Sequence, residues 1–493
     1  MHVYVGLDLG TSSLKAVALA TDGRLVASAS HAYPTHSPVP GWAEQDPADW
    51  TQAAHVALRE LSVALPRDAE PRALGIAAQL PTLALLDPDG RPLRPAIVWY
   101  DGRATAQATA MLRALPAEEW YRRSGIVFDA HYLAPMHAWV AEHEPDALAR
   151  GAYLVCGAKD ALLHALTGRW LSDPTMASGV GVYNPRDGAW DEALLRAAGL
   201  TTALLPPLAS PWTVAGRLGS DWRHTGLPDG LPVVVGAADS LCGVLGCGAT
   251  ESGVMAVIAG TSTAMLMSTR QPLYDQTRRF FLTPHAVPQR WALEMDLMAT
   301  GSSVRWLADL LGLADPAALD TLAARSPIGA RGVVGLPYLA GGEQGALWDR
   351  AARGALTGFG LSHGPADLAR ALCEGIAFEM RRCLLAWLEA DVAVDEVILS
   401  GASGTNFFTA LVAAVLQRPV RLTATGSTSA RGAALLAGVG VGAWSADMAA
   451  GIARHSLGQP IIPDAADSAQ YVRLYEHYDA VSRALRQIPT AIA

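Results

Sequence analysis

The tripeptide Gly-Thr-Ser occurs twice in this chain, 250 residues apart, and each copy lies between two apolar runs. The first copy is Gly10-Thr11-Ser12 and the second is Gly260-Thr261-Ser262. Each pattern predicts a strand, a tight glycine turn and a second strand. Such a turn presents backbone N–H groups and hydroxyls with no bulky side chain nearby, which suits a phosphate. The repetition therefore predicts two related lobes that close on a polyphosphate.

The length of the chain favours two large domains. It has 493 residues, of which 51% are hydrophobic and 17% charged, so two well-packed cores are expected rather than disorder. A Pro-rich stretch of low charge runs from Leu204 to Pro232 and gives way to an apolar run. We therefore expect domains at residues 1–232 and 233–493. Strands alternate with helices in both parts, which predicts an α/β fold of mixed sheets covered by helices.

Two predicted helices matter for the fold. Asp46 and Pro47 are typical of a helix start, and the following pattern predicts a helix over 47–65. Residues 429–442 are almost all small, which predicts a helix that can pack closely on another backbone.

Charge and composition exclude several partners. The net charge is −9 and there is no basic run, which argues against nucleic acid. No apolar stretch approaches membrane-spanning length, and the N-terminus runs directly into a strand without a signal sequence. The five cysteines include no CxxC pair, as expected of free thiols in a reducing cytoplasm.

The first turn carries candidate metal and phosphate ligands. Asp8 ends a buried strand two residues before Gly10, a placement that suits Mg²⁺ beside the phosphates of ATP. Thr11 and Ser12 supply hydroxyls, and Lys15 supplies a cation. The alternative is a β-hairpin in which Asp8 hydrogen-bonds its own turn. The second copy of the turn favours the functional interpretation.

Asp239 is a candidate catalytic base. It follows the apolar run 233–238, so it lies just past the carboxyl end of a strand, where α/β sheets bind ligands. A carboxylate there could accept the proton of a substrate hydroxyl that attacks a phosphoryl group. It could equally cap a helix that starts near Ser240. The residues alone do not choose between these roles, and the two can coexist.

Polar and aromatic residues follow two further strands. Gln79 ends one, and Trp99, Asp101 and Arg103 follow the other. Together they offer the amide, carboxylate, guanidinium and aromatic groups that bind polyhydroxylated ligands. The competing interpretations are that Asp101 caps a helix over 102–115 and that Arg103 forms a surface ion pair.

A third glycine turn, Gly401-Ala402-Ser403-Gly404-Thr405-Asn406, precedes a predicted helix. Small residues at a helix N-terminus allow a nucleotide to approach closely. Many strand–helix turns share this pattern, and it matches neither GxGxxG nor the P-loop.

In combination and order, these segments resemble the FGGY carbohydrate kinase family of the sugar kinase/Hsp70/actin fold, and within it most of all the xylulokinases. The matching segments are Gly6-Leu7-Asp8-Leu9-Gly10-Thr11-Ser12, Trp42-Ala43-Glu44-Gln45-Asp46-Pro47, Arg94-Pro95-Ala96-Ile97-Val98-Trp99 with Asp101-Gly102-Arg103, Lys159-Asp160 and Leu336-Pro337-Tyr338-Leu339. The resemblance implies two actin-like (ribonuclease H-like) domains with a cleft between them. It also implies ATP-dependent phosphorylation of a terminal hydroxyl of a small sugar, such as the ketopentoses xylulose or ribulose.

The resemblance implies a role for each candidate residue. Asp8 would organise Mg²⁺, and Asp239 would be the general base. The sugar side would include Gln79, Leu80, Pro81, Trp99, Asp101, Arg103 and Asp239, and the ATP side Gly10, Thr11, Ser12, Lys15, Gly260, Thr261, Ser262, Gly401, Ala402 and Asn406. Because dimers are common in the family, a homodimer is also expected.

Leu80 and Pro81 mark a departure from the xylulokinases, which carry a substrate-contacting Met-His pair at this position. The two residues are therefore expected to influence which acceptor enters. A polyol or another sugar is the alternative substrate. Two alternatives of a different class are an actin- or Hsp70-like ATPase that acts on a protein partner and a catalytically silent sugar-binding relative.

Overall fold

The computed structural model describes residues 1–401, 406–424 and 427–488. The chain packs as two compact units. Unit 1 comprises Met1–Thr250, Thr269–Ala292 and Ser427–Ser456. Unit 2 comprises Glu251–Ser268 and the described parts of Leu293–Gly426 and Leu457–Ala493. Each unit combines a mixed sheet with helices, which confirms the predicted α/β class.

The described strands are β1 (His2–Leu9), β2 (Ser13–Ala20), β3 (Leu25–Ala32), β4 (Glu44–Gln45), β5 (Glu70–Ala78), β6 (Thr82–Leu86), β7 (Ala96–Val98), β8 (Tyr153–Val155), β9 (Tyr183–Asn184), β10 (Ala189–Trp190), β11 (Val214–Arg217), β12 (Pro232–Val234), β13 (Ala237–Ala238), β14 (Gly253–Ala259), β15 (Thr263–Thr269), β16 (Phe281–Pro284), β17 (Trp291–Leu297), β18 (Val334–Leu336), β19 (Ala355–Thr357), β20 (Val394–Ser400) and β21 (Val420–Leu422).

The described α-helices are α1 (Pro47–Ala64), α2 (Thr105–Ala114), α3 (Ala117–Ser124), α4 (Leu133–His143), α5 (Pro145–Arg150), α6 (Ala158–Thr167), α7 (Pro174–Ser178), α8 (Glu192–Ala198), α9 (Asp239–Cys247), α10 (Gly301–Leu310), α11 (Ala318–Ala323), α12 (Pro365–Glu389), α13 (Asn406–Leu416), α14 (Thr428–Gly440), α15 (Ala446–Arg454) and α16 (Ala465–Arg486). Short 3₁₀ turns lie at Thr202–Leu204, Ser220–Thr225 and Ala330–Gly332. None of the helices in the described part of the chain has the length and apolar character needed to cross a membrane.

The central sheet of unit 1 has seven strands. Six of them run in the order β11-β12-β5-β1-β2-β3, and β13 pairs with β5 beside this path. The hairpin β1–β2 is antiparallel, whereas β5 lies parallel to β1 on its other side. The strand β1 is buried along most of its length, as its run of apolar residues predicts.

Unit 2 repeats this arrangement. Its strands β17, β15, β14, β20 and β21 lie in that order. The hairpin β14–β15 is antiparallel, and β20 lies parallel to β14 on the other side. The doubled Gly-Thr-Ser therefore occupies the same hairpin position in two sheets of related topology.

Helix α14 packs on the unit 1 sheet at very short range. A β-carbon added to Gly6 would lie 1.9 Å from the Ala430 carbonyl oxygen, and one added to Gly75 would lie 2.2 Å from that of Ala433. Only glycine on the strands leaves room for a helix backbone so close. This contact confirms the predicted close packing of the small-residue helix.

Helix starts were predicted with mixed success. Helix α1 begins at Pro47, and Asp46 caps it by accepting from the Ala48 N–H at 2.9 Å, as predicted. Helix α2 begins only at Thr105, so Asp101 is not its N-cap, and that alternative is wrong. The Asp101 carboxylate has other partners, described below.

No single boundary in the sequence separates the two units. Residues 233–250 pack in unit 1, because β12 and β13 both pair with β5. Residues 427–456 also return to unit 1 through α14. The division into domains 1–232 and 233–493 remains a prediction.

Candidate active site

Three parallel strands of unit 1 end side by side. Leu9 of β1 and Ala238 of β13 both pair with Ala78 of β5. The next residues along the three strands are Gly10, Asp239 and Gln79. Because the carboxyl edge of such a sheet is where α/β folds bind ligands, this edge is the candidate site in unit 1.

Asp8 lies one residue before the end of β1 and pairs across the hairpin with Lys15. Burial raises the pKa of Asp8 to about 6, although the Lys15 cation opposes the shift. Its buried Oδ1 atom has no hydrogen-bond partner among the described residues. An unsatisfied carboxylate oxygen is an unstable arrangement unless a cation or ligand group completes it.

Tyr33 lies beside the first turn. Its hydroxyl donates to the carbonyl oxygen of Gly10. Burial raises the pKa of Tyr33 far above its usual value, and the negative charges of Asp8 and Asp239 raise it further. Both carboxylates are therefore near the same phenol ring.

Asp239 is the first residue of α9, and Ala238 is the N-cap. The Asp239 Oδ1 atom accepts the N–H of Ser240 at 2.8 Å. The side chain is half-buried at the end of β13. The carboxylate thus lies at the candidate edge and contacts the first turn of the helix, but Ala238 and not Asp239 is the N-cap, so the capping alternative is wrong.

Gln45 supports the first Gly-Thr-Ser turn through a hydrogen bond to its backbone. The Gln45 Nε2 atom donates to the Thr11 carbonyl oxygen at 2.6 Å, and Gln45 Oε1 accepts from Gln79 Nε2 at 2.8 Å. Trp50 Nε1 donates to the same Oε1 at 3.0 Å. Gln45 was missed as a site residue, although it lies in a segment that resembles the family. No local pattern distinguishes it from a loop residue beside a helix cap.

Trp99 contacts the same turn from another side. Its Nε1 atom donates to Thr11 Oγ1 at 3.2 Å. The hydroxyl of Thr11 is thereby oriented by the indole, while Ser12 next to it is exposed. Trp99 was predicted on the sugar side; in the structure its indole contacts the first turn, and the sugar role stays a prediction.

Asp101 and Arg103 chiefly bind each other and their neighbours. The Asp101 carboxylate is fully buried and accepts from the Ala43 N–H and from Arg103 Nη2 at 2.7 Å. Arg103 also donates to Glu44 at 2.7 Å and lies over the Trp42 ring at 3.8 Å. The ion pair expected for Arg103 exists, but it is buried rather than on the surface.

Leu80 and Pro81 follow Gln79 and are joined by a cis peptide bond. Both are half-buried. A β-carbon at Gly179 would lie 3.4 Å from Leu80 Cδ1 and 3.5 Å from Pro81 Cβ, so the pair packs against that loop. Neither side chain offers a hydrogen bond to a ligand.

In unit 2 the second Gly-Thr-Ser turn forms one wall of a pocket. The Thr261 carbonyl oxygen accepts the N–H of Ser302 at 3.1 Å, which brings the start of α10 to the turn. A β-carbon at Gly301 would lie only 2.1 Å from the Gly260 oxygen. The pocket encloses about 410 Å³ and is lined by Gly260, Thr261, Gly301, Ser302, Arg305, Trp306 and Asp309. A glycine turn, a helix N-terminus and an arginine together suit an anion.

Arg305 and Ser302 are site residues that sequence reasoning missed. Both residues lie on α10, and helical periodicity in a sequence does not show which turn a helix start faces. Ser262 completes the second turn and is half-buried.

The third glycine turn is only partly described. Gly401 follows β20 with φ of +81°, and a β-carbon there would lie 2.1 Å from the Ala259 oxygen. Gly401 is therefore next to the end of β14, just before Gly260. Asn406 is exposed at the start of α13, and Ala402 lies outside the described residues.

Within the described residues, no group of three or more His, Cys, Asp or Glu side chains could hold a metal ion. The unpartnered Asp8 oxygen still fits Mg²⁺, because this ion often takes one or two carboxylates and completes its shell with water and substrate phosphates.

Comparison with known proteins identifies relatives of both parts. Residues 3–246 match the N-terminal domain model of the FGGY family of carbohydrate kinases, and residues 255–441 match its C-terminal domain model. The chain is 32% identical to a xylulose kinase of Escherichia coli (strain K12) over 378 residues, which cover 77% of each chain. It is 34% identical to a glycerol kinase of Aromatoleum aromaticum over 464 residues, 90% of this chain and 91% of the relative. The crystal structure of a xylulose kinase from Rhodospirillum rubrum superposes with a TM-score of 0.88 at 33% identity, over 98% of this chain and 99% of the other.

Proposed function

Because this chain belongs to the FGGY family of carbohydrate kinases, we propose that it transfers the γ-phosphoryl group of ATP to a terminal hydroxyl of a ketopentose such as xylulose or ribulose. The observation that carries the proposal is the common end of β1, β5 and β13. It groups Asp8, Gln79 and Asp239 at one sheet edge.

In this proposal Asp239 is the general base. Its carboxylate accepts the proton of the acceptor hydroxyl, whose oxygen forms a bond to the γ-phosphorus. The bond between that phosphorus and the β–γ bridging oxygen breaks, and ADP leaves with the electron pair. The half-buried position of Asp239 keeps its carboxylate accessible to a substrate.

Gln79 and its neighbours would bind the sugar. The Oε1 atom of Gln79, which has no partner among the described residues, would accept a hydrogen bond from a sugar hydroxyl, and Trp99 supplies an aromatic face beside the turn. Leu80 and Pro81 shape the acceptor pocket through packing alone. Asp101 and Arg103 support this wall through their buried ion pair, and a direct sugar contact from either remains a prediction.

Asp8 would hold Mg²⁺, which neutralises developing phosphate charge when it is bound. The first turn, with Gly10, Thr11, Ser12 and Lys15, would bind the transferred phosphoryl group through N–H, hydroxyl and ammonium donors. In unit 2, Gly260, Thr261 and Ser262 would bind ATP phosphates together with Arg305. Gly401, Ala402 and Asn406 are proposed to lie beside the adenosine.

A polyol acceptor is the second candidate. Two observations favour it: the side chains of Leu80 and Pro81 offer no hydrogen bond to a substrate, and one relative, at 34% identity, is a glycerol kinase. A polyol that is shorter than a ketopentose, such as glycerol, needs fewer polar contacts beside Leu80 and Pro81.

The test is an ADP-release assay with a panel of pentuloses, hexoses and polyols, including xylulose, ribulose and glycerol. The proposal expects one ketopentose to raise ADP release strongly above the sugar-free rate. A strong response to a polyol alone would select the second candidate. ADP release that no acceptor stimulates would indicate an ATPase, and sugar binding without turnover would indicate a silent relative.

We further propose a cytoplasmic homodimer. All five cysteines are free and buried, which fits a reducing compartment. Light scattering of the purified protein and fractionation of the source cells would test the two statements separately.

A further inference from the structure

The four residues before Asp239 form an unusual bend. Gly236 has φ of +78°, and a β-carbon there would lie 1.7 Å from the Ile76 carbonyl oxygen of β5. Residues on either side of this glycine are fixed by side chains from elsewhere in unit 1. Lys159 Nζ donates to the Val235 carbonyl oxygen at 3.2 Å, and the Ala238 N–H donates to Thr175 Oγ1 at 2.8 Å.

These two contacts belong to one connected cluster. The Thr175 hydroxyl donates to Asp173 Oδ2 at 2.6 Å, and Asp173 Oδ1 lies 3.3 Å from Lys159 Nζ. Lys159 Nζ also lies 3.0 Å from Asp160 Oδ1. A threonine hydroxyl has one proton and two lone pairs. In Thr175 a lone pair accepts the N–H of Ala238, and the proton is donated to Asp173. Lys159, Asp173 and Thr175 thus hold the segment 235–238 at both ends, and we call them the clamp.

The clamp is withdrawn from solvent. Lys159, Asp160 and Asp173 are fully buried and Thr175 is 1% exposed. Burial by itself lowers the pKa of Lys159, but the charges and hydrogen bonds of Asp160 and Asp173 outweigh it, so the net direction is upward. The ammonium group therefore remains a charged donor.

Stability alone does not explain such a cluster. Desolvation of buried charges often costs as much as their attraction returns, and apolar side chains of similar size can replace them without loss. The cluster provides direction instead: two of its hydrogen bonds fix backbone atoms of the segment before Asp239, the Val235 carbonyl oxygen and the Ala238 N–H.

We propose that Thr175, supported by Asp173 and Lys159, is a positioning residue that aims the Asp239 carboxylate at the acceptor hydroxyl by holding the N–H of Ala238. The inference rests on the proposed role of Asp239 as the base. Displacement of a reacting group by about 1 Å can cost about 100-fold in rate, so a bond one residue away is sufficient to matter.

The test compares Thr175→Val with Thr175→Ser in steady-state kinetics. Valine matches threonine in shape but cannot accept from Ala238, whereas serine keeps the hydroxyl. We expect Thr175→Val to lower kcat about 10- to 100-fold, with KM for ATP and acceptor nearly unchanged, and Thr175→Ser to remain within a few-fold of the parent.

Thr225→Val is the matched control. Thr225 is also buried in unit 1, is 1% exposed and donates from its hydroxyl to the Trp222 carbonyl oxygen at 2.6 Å. It does not belong to the clamp. Its replacement is expected to lower the thermal midpoint without lowering kcat.

A double-mutant cycle with Asp239→Asn separates positioning from a general structural role. If Thr175 acts through Asp239, valine adds little further loss in the Asp239→Asn background. Equal losses in both backgrounds, or a normal kcat in Thr175→Val, would overturn the inference. If Thr175→Val does not fold, Thr175→Ala replaces it in the same cycle.

The same cycle separates this inference from the proposed function. Normal turnover in folded Asp239→Asn would remove Asp239 as the base, whatever Thr175 does. An inactive Asp239→Asn beside a fully active Thr175→Val would leave the base in place and reject only the clamp.

Discussion

Gln79 donates from Nε2 to Oε1 of Gln45 at 2.8 Å, and its own Oε1 atom, although buried, has no partner among the described residues. Gln45 in turn donates to the Thr11 carbonyl oxygen. A polar chain therefore leads from the first Gly-Thr-Ser turn to an acceptor that is oriented but unsatisfied. Such an atom is costly unless a ligand completes it, which makes Gln79 the most informative residue to mutate on the proposed sugar side.

Replacement of Gln79 by leucine should weaken acceptor binding. Loss of one hydrogen bond of about 1.4 kcal/mol raises KM for the acceptor about 10-fold, while KM for ATP stays the same. Gln107→Leu is the control, because Gln107 is also buried, donates to Glu142 at 2.6 Å and has an Oε1 atom without a partner in the described part of the chain. Similar kinetic effects in both variants would speak against a sugar contact from Gln79.

Replacement of Asp239 by asparagine should remove catalysis and leave the fold intact. We expect kcat to fall about 10²- to 10⁴-fold, because the amide cannot take the hydroxyl proton. Asp464→Asn controls for the change at a helix start, since Asp464 caps α16 and asparagine caps equally well. A folded Asp239→Asn protein with near-normal turnover would exclude the base assignment.

Replacement of Arg305 by alanine should affect the nucleotide selectively. Loss of a charged hydrogen bond to phosphate raises KM for ATP about 10-fold or more and leaves KM for the acceptor unchanged. Arg325→Ala, another exposed arginine of unit 2 outside the pocket, should have no such effect. An unchanged KM for ATP in Arg305→Ala would remove the pocket from the nucleotide site.

Replacement of Gly75 by alanine should destabilise unit 1. The new methyl group would lie 2.2 Å from the Ala433 carbonyl oxygen, and a backbone atom cannot move aside easily. A loss of about 1–3 kcal/mol in the free energy of unfolding is expected in denaturant titrations. Gly451→Ala is the opposite control: this glycine is exposed inside α15, and a β-carbon there would meet no described atom within 4 Å beyond its own helical turn, so alanine should stabilise by about 0.5–1 kcal/mol. A neutral Gly75→Ala would contradict the close packing of α14.

Glu343 should give the stability of unit 2 a pH dependence. Burial raises its pKa to about 8, helped by the negative charges of Glu379 and Asp296 and opposed by backbone N–H groups. The folded protein therefore keeps a proton that the unfolded chain releases near pH 4.5. The stabilisation is complete below that pH and is lost as the pH rises towards 8.

Glu343→Gln tests this sign, because glutamine cannot ionise and its oxygen can still accept from the N–H groups of Met298 and Gln344. Between about pH 5 and 8 the free energy of unfolding of the parent should fall relative to that of the variant, by a few kcal/mol at most. The thermal midpoint of the parent should fall with it. Glu476→Gln, at an exposed position on α16, should show a constant difference. If the stability difference between the parent and Glu343→Gln is also constant with pH, the raised pKa of Glu343 is rejected.

Much of the fold could be predicted because it is encoded locally. The two hairpins around Gly10 and Gly260 are visible as apolar runs interrupted by glycine, and the start of α1 is visible in Asp46 and Pro47. The strand-end position of Asp239 also follows from six apolar residues in front of it. The family assignment rested on the first of these hairpins, the segment that leads into α1 and further motifs along the chain, and the two domain models confirm it.

Other features depended on partners that are distant in the sequence. Gln45 acts on Thr11 and Gln79 from 34 residues away on either side. Asp101 was placed at a helix start by local rules, yet its carboxylate is occupied by Ala43 and Arg103. Arg305 lies on α10, and only the hydrogen bond from Ser302 to Thr261 shows that the second turn lines the same pocket.

The sequence alone determined the strand and turn periodicity, the doubled turn and the residue types that phosphoryl transfer requires, since these depend on neighbours within a few positions. Only the tertiary structure decided that residues 427–456 return to unit 1 and that Thr175 and Lys159 hold the backbone before Asp239. The physical reason is that close packing and buried hydrogen bonds are satisfied between surfaces brought together by folding, and no spacing along the chain specifies which surfaces meet.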